Sequence, residues 1–373
     1  MKIFYAAIGV LLLYYLQRYL YQRYWCRKLQ VDISLSRNHA VEGEELLLTE
    51  TVLNQKLLPI PILKVKFMTS RHLLFADMSN SSITDHYYRN DMLSAMMYQK
   101  ITREISFRCS HRGYFTMDKI YLISSDLLFS REYVSEADIN VRLYVYPGPV
   151  DSSRLQIPFQ KMLGTVLTKR FINEDPFEFK GIREYQVFDT LKTINWKASA
   201  KAGSLMVNVF DYTSSQQIRI FLNLDQAALR KQEDVLEESI RIAAALSEGF
   251  ISRGVPTALD TNGTDLLTHG PASIPAGSGA SHIRTMKEAL ARIDADADPV
   301  SFSQILKKEL PGLSQKDFLV LISSYHKEDL QQLLFSLLRD KIDFFWMLPY
   351  NSDLTPHIPD ELKPYVHLWE VVS

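Results

Sequence analysis

The sequence predicts a multi-domain chain: an N-terminal transmembrane helix, an antiparallel β-sandwich, and then a doubly wound α/β domain. Three observations predict it. An unbroken apolar run, Ile3 to Leu16, opens the chain and gives way to a basic, aromatic stretch. From Leu29 to Pro149, short segments alternate apolar and polar residues, the period of half-buried strands. From Ile218 onward, short apolar runs alternate with segments of three- and four-residue periodicity, the pattern of a parallel sheet with crossover helices. These shifts divide the chain into a membrane anchor (1–28), a β-sandwich domain (29–149), a connector (150–215) and an α/β domain (216–373).

The opening run of fourteen residues is shorter than the roughly 20 that a span needs. The tyrosines and Trp25 that follow suit a bilayer interface, and Arg18 and Arg23 can snorkel, which extends the span toward Trp25. No small-x-small cleavage site precedes the basic run, so an uncleaved anchor fits better than a signal peptide. Lys2 alone precedes the run, whereas Arg18, Arg23, Arg27 and Lys28 follow it. The positive-inside rule therefore predicts a cytoplasmic body on a single-pass anchor in the cell membrane.

A length of 373 residues allows two or three domains, and 46% hydrophobic with 23% charged residues is ordinary for globular protein. With 42 basic and 43 acidic residues, the chain lacks the basic excess that nucleic acid binding requires. Its two cysteines, Cys26 and Cys109, read as free thiols and are too few for a metal cluster.

Along the body, the segment VDISLSRNHAV, a turn at Glu42-Gly43-Glu44 and LLLTETVLNQ read as a hairpin. Further strands are predicted at ILKVKFMT, YQKITREISFRC, YFTMDKIYLIS and VRLYVYP, with a polar, irregular loop from Arg71 to Leu93. Pro147 and Pro149 close this region, and the stretch beyond them has no single period. IRIFLNLD then reads as a strand buried on both faces. Leu236, Ile240, Ala243, Leu246 and Phe250 mark an amphipathic helix closed by Gly254. VPTALDTNG predicts a strand and turn, 269–281 a flexible loop, and Ser281 the cap of the helix HIRTMKEALARID. DFLVLISS, KEDLQQLLFSLLRDK and IDFFWMLP complete the series as strand, helix and strand.

The densest chemistry lies at Gly181-Ile-Arg183-Glu-Tyr185, followed by Asp189, Ile194, Trp196, Ser199 and Ala200. This run resembles the signature of the domain of unknown function 58 family, approximately G-x-R-x-Y-x-x-G-D-x-x-R-x-I-x-W-x-x-S-A-R. Arg112-Gly113-Tyr114 and Asp126-Leu-Leu-Phe129 resemble the same family's β domain, and the apolar N-terminus its anchor. Asp225 falls where that family enters a von Willebrand factor A-like domain. Three positions depart from the pattern: Phe188 replaces a glycine, and Lys192 and Lys201 replace arginines. Lysine keeps the charge but loses the bidentate fork. The resemblance implies a role beside a MoxR-type AAA+ ATPase and a transglutaminase-like membrane protein, in assembling or remodelling a membrane-associated complex. It implies no catalytic residue and no cofactor.

Arg183, Tyr185, Asp189, Lys192, Trp196 and Lys201 are the candidate partner-binding residues, since Trp, Tyr and Arg dominate binding hot spots. The competing reading is scaffold, with the charges paired internally and the aromatics docked on a sheet. Asp225 marks a degenerate metal-site position. The D-x-S-x-S run that holds a divalent cation in such domains reads Asp225-Gln-Ala227-Ala-Leu229 here, so both hydroxyls are missing and no metal is predicted. Gly277-Ser278-Gly279 lacks the lysine of a phosphate loop, and none of the nine histidines is paired at helical ligand spacing. A membrane-anchored adaptor is the favoured function. The alternatives are a hydrolytic enzyme acting in a strand-end crevice and a purely structural membrane scaffold.

Overall fold

A computed structural model of the chain describes residues 2–75, 81–83, 87–172, 179–186, 189, 191–210, 217–225, 232–313, 317–351 and 356–371. It divides into two units, Met1–Gly148 and Pro149–Ser373.

The first unit begins with α1 (Lys2–Tyr24), a helix long and apolar enough to cross a membrane. Ile3, Leu12, Leu13 and Tyr19 on it are exposed, whereas Tyr21 and Trp25 are buried. Tyr21 donates its hydroxyl to the Pro59 carbonyl at 2.6 Å, and Trp25 stacks on Tyr133. Part of the aromatic stretch expected at a bilayer interface is therefore protein core.

Ten strands follow: β1 (Leu29–Leu35), β2 (His39–Val41), β3 (Glu45–Asn54), β4 (Ile60–Thr69), β5 (Leu73–Phe75), β6 (Ser81–Ile83), β7 (Tyr87–Ala95), β8 (Lys100–Cys109), β9 (Gly113–Ser125) and β10 (Glu132–Tyr146). They form one sheet of order β1-β3-β8-β5 and another of order β2-β10-β9-β4-β7-β6. All pairs are antiparallel except β10 with β2. Leu48 and Phe107 of the first sheet and Val65, Ile120 and Leu143 of the second meet in one buried cluster. The predicted hairpin is realised with a detour. β1 pairs directly with β3, Leu29 opposite Asn54, while β2 between them joins the other sheet. Gly43, at φ +89°, makes the turn that needs its missing side chain.

The predicted loop from Arg71 to Leu93 is instead largely strand, covering β5, β6 and most of β7. The reason lies in β7, where Arg89 and Asp91 point inward and are buried while Met92 is exposed. Inward charge inverts the apolar alternation on which the strand reading depends.

The second unit begins with α2 (Ser152–Ile172), then β11 (Phe179–Glu184), α3 (Trp196–Ala202) and β12 (Met206–Phe210). β13 (Ile218–Asn223), α4 (Glu233–Ser252), β14 (Thr257–Thr264), β15 (Pro271–Gly277), α5 (Ala280–Arg292) and α6 (Phe302–Glu309) come next. β16 (Phe318–Ser323), α7 (Glu328–Arg339), β17 (Asp343–Tyr350) and β18 (Val366–Glu370) complete it. The large sheet has the order β15-β14-β13-β16-β17-β18, parallel except at the edge strand β15. Alternate residues of β13 enter different cores. Ile218, Ile220 and Leu222 join Ile240, Phe250 and Leu290 of α4 and α5. Phe221 joins Phe302 of α6 and Leu330 and Leu334 of α7.

α2 occupies much of the segment read as lacking a period. Its Phe159, Met162 and Val166 are buried in the α4–α5 core, and Phe159 stacks on Phe250 with ring centroids 4.8 Å apart. Two further expectations are corrected. Asn262, placed in a turn from its sequence, is buried within β14, where its side chain is fully hydrogen-bonded. Residues 269–281, read as a flexible loop, contain strand β15, and Gly279 rather than Ser281 precedes the helix that follows.

Candidate functional site

In the described part of residues 179–210, two paired strands flank a short helix. β11 and β12 pair antiparallel, with Arg183 opposite Val207. Arg183 grips Asp189 through both guanidinium nitrogens, each 2.6 Å from a carboxylate oxygen. The backbone N–H of Gln186 donates to the same carboxylate at 2.8 Å. The Arg183 hydrogen bonds, then the Gln186 amide, hold the Asp189 carboxyl below the usual carboxylate range. This two-pronged pairing ties Arg183 of β11 to Asp189, ahead of the 3-10 turn Leu191–Thr193.

Asn195 caps α3. Its side-chain oxygen accepts from the Ala198 N–H at 2.9 Å, and its amide donates to Asn208 on β12. Gly203, at φ +72°, ends the helix, its N–H donating to the Ser199 carbonyl. Ser199 ties the helix to β12: its hydroxyl donates to the Asn195 carbonyl and accepts from the Met206 N–H at 2.8 Å. Ile194 and Val207 are buried beneath.

The candidate residues therefore separate. Arg183 and Asp189 are committed to each other, and Tyr185 is half-buried, its backbone N–H bonded to Leu205. Trp196 is 69% exposed and Leu191 71% exposed, flanked by the exposed Lys192, Lys197 and Lys201. Phe188, a departure from the family pattern, lies outside the described residues. Asn195 escaped the reading of the sequence, although an Asn eight residues before a Gly around a helical run is a cap signature.

At the C-terminal ends of β13 and β16 a second polar group gathers. Asp225 accepts from the Asn262 amide at 2.9 Å and from the Phe302 N–H at 3.0 Å, so both its oxygens are engaged. Burial raises its pKa, against which those two hydrogen bonds act, and Asp329 adds repulsion. Asp329 itself is held low: burial would raise it, but Ser303 and Tyr325 donate to it at 2.9 Å each. Burial and that carboxylate push the Tyr325 phenol up to about 12. Asp225 thus pins the start of α6 to the end of β13 instead of presenting free oxygens to a cation. Ala227 and Leu229, on which the degenerate-site reading rests, lie outside the described residues. Among the described residues no cluster of three His, Cys, Asp or Glu side chains has metal-binding geometry. One pair unreadable from spacing is His72 with His111, whose ring centroids are 4.5 Å apart.

Comparison with known proteins matches residues 181–342 to the family described as Protein of unknown function DUF58. The Uncharacterized protein YeaD of Bacillus subtilis (strain 168) is 28% identical over 155 residues, 41% of this chain. That match spans only 35% of the Bacillus protein's length. A type II cohesin domain from the cellulosome of Acetivibrio cellulolyticus aligns at 8% identity over 31% of this chain and 95% of its own, with a TM-score of 0.23. A non-cellulosomal cohesin from Archaeoglobus fulgidus aligns at 12% identity over 31% of this chain and 91% of its own, also at 0.23. Those scores are too low to define the fold.

Proposed function

The chain carries a DUF58 domain at residues 181–342, and from that premise we propose that it is a membrane-anchored adaptor with a protein-binding face at Trp196. α1 is the anchor, the body is cytoplasmic, the ten-strand unit is a β-sandwich, and the second unit is a doubly wound, von Willebrand factor A-like domain without its metal. The partner is a MoxR-type AAA+ ATPase working with a transglutaminase-like membrane protein on a membrane-associated complex.

One observation carries this reading. The Arg183–Asp189 fork and the Asn195 and Ser199 hydrogen bonds brace the described residues of the motif, yet Trp196 and Leu191 remain about seven-tenths exposed. A braced segment whose largest aromatic faces solvent among lysines is preorganised for a partner, and Trp is the most enriched hot-spot residue. Pure scaffold would bury that indole. The strand-end group supports no hydrolase, since Asp225 is satisfied and Asp329 is bonded to Ser303 and Tyr325.

Two variants of the full chain in detergent test it. Trp196→Ala should weaken capture of the ATPase by roughly thirtyfold, about 2 kcal/mol, with an unchanged melting temperature. Arg183→Ala should lower the melting temperature, because it releases Asp189 and the loop. Undiminished capture by folded Trp196→Ala overturns the assignment of this face.

A further inference from the structure

Within the first unit, the end of α1 and the β3–β4 connection line a cavity of about 460 Å³. Leu20, Tyr24 and Leu58 form its apolar wall, and Arg27, Lys28 and Lys56 supply three cations with no carboxylate among the lining residues. Arg27 and Lys28 follow the C-terminus of α1, where a helix dipole favours positive charge, so they have an ordinary explanation. Lys56 has none. It comes from the β3–β4 connection, and its ammonium is out of solvent without a hydrogen-bond partner. Burial pushes its pKa down to about 8, with Cys26 acting the other way. A desolvated cation lacking a counter-ion is costly unless an anion arrives to pair with it.

The surroundings indicate what that anion is attached to. Leu57, at the cavity rim, is 69% exposed. Beside it the turn Met96-Met97-Tyr98, also exposed, is tied to Lys56 by the Tyr98 N–H at 3.2 Å. Exposed apolar side chains with an aromatic at their edge suit the boundary of a bilayer. Free phosphate would satisfy the cations and leave the apolar wall uncovered.

We propose that this cavity binds the phosphate headgroup of an anionic phospholipid from the bilayer that α1 crosses, met first by Arg27 and Lys28 and then by Lys56, whose ammonium turns out of its buried position to pair with it, with the acyl chain along Leu20 and Tyr24. The site rests on the anchor reading. Bound lipid would fix how the body stands on the membrane surface, which a lone helix with a flexible exit would not.

The test uses the full chain. Flotation with vesicles reports the anchor, and native mass spectrometry from mixed phosphatidylglycerol–phosphatidylcholine nanodiscs reports the site. Wild type should float and retain phosphatidylglycerol preferentially. Lys56→Met should float equally, lose that preference by about tenfold or more, and melt higher in lipid-free detergent, since a buried unpaired charge is gone. Should Lys56→Met not fold, the pair Arg27→Gln with Lys28→Gln is read by the same lipid preference. Flotation without any phosphatidylglycerol preference, or an undiminished preference in the folded variant, overturns the site alone. Displacement of the lipid by inorganic phosphate at equal concentration means a free-anion site, and overturns it too. Failure to float removes both the anchor and the lipid site.

Discussion

Glu50 should make the first unit lose stability as pH rises, and Glu50→Gln should abolish that loss. Glu50 lies on β3 and is 1% exposed, with neither carboxylate oxygen hydrogen-bonded. Burial first, and then the neighbouring Asp91, raise its pKa from 4.5 to about 7, although Arg103 and Arg89 act against them. Asp91 is itself committed to Arg89, whose Nε lies 2.7 Å from its Oδ2. The folded protein therefore holds the Glu50 proton to higher pH than the unfolded chain does. The contribution is fully present below about pH 4.5 and is lost as pH rises through about 7. At about 1.4 kcal/mol per unit, this shift is worth roughly 3 kcal/mol, or on the order of 10 °C in melting temperature. Glutamine has the same shape and does not ionise. Thermal melts of the full chain at about pH 5 and about pH 8 should show wild type falling relative to the variant. Parallel profiles would refute the argument, placing the Glu50 carboxylate in contact with water or an unrecognised donor.

Three shorter predictions follow from other sites. A Cβ on Gly249 would lie 2.8 Å from a Phe159 ring carbon, so Gly249→Ala should lower the melting temperature despite a helix-propensity gain of about 1 kcal/mol; a rise would mean that α2 yields easily. Millimolar Mg²⁺ or Ca²⁺ should leave the melting temperature unchanged, because both Asp225 oxygens already accept hydrogen bonds; a rise that vanishes in Asp225→Asn would show cation binding. Asn262 is buried and unfit to report topology, whereas Asp340 is exposed at the end of α7. Asp340→Cys in a Cys26→Ser background should resist impermeant thiol labels in intact cells and react after lysis; labelling of intact cells would place the body outside.

What the sequence made legible was the periodic part of the chain. β1, β3, β4 and the flanks of α4 carry apolar residues at the spacing their elements require, and their existence could be read directly. β7 could not, because Arg89 and Asp91 pair inside the core and leave Met92 outside. α2 was hidden by Pro158 and by the sparse buried stripe of Phe159, Met162 and Val166 among its described side chains. The 181–201 motif shows the same division at finer scale. Its residue types identified the segment, but the separation of Arg183 and Asp189 from Trp196 required geometry, since a charged or aromatic residue can brace a loop or meet a partner with the same letter.

The exit of α1 presents that ambiguity in its sharpest form. Tyr21, Tyr24 and Trp25 have the composition of an interfacial belt, yet Tyr21 and Trp25 are buried against protein while Tyr24 lines an open cavity. Composition ranks these three alike because lipid and protein core both remove aromatic surface from water. What distinguishes them is a residue from elsewhere in the chain. Pro59 receives the Tyr21 hydroxyl, which completes that position as core, whereas Lys56 brings a cation without a hydrogen-bond partner to the cavity that Tyr24 lines. Two neighbours on the β3–β4 connection thus divide one aromatic cluster into a joint that holds the helix to the body and the wall of a cavity lined by three cations.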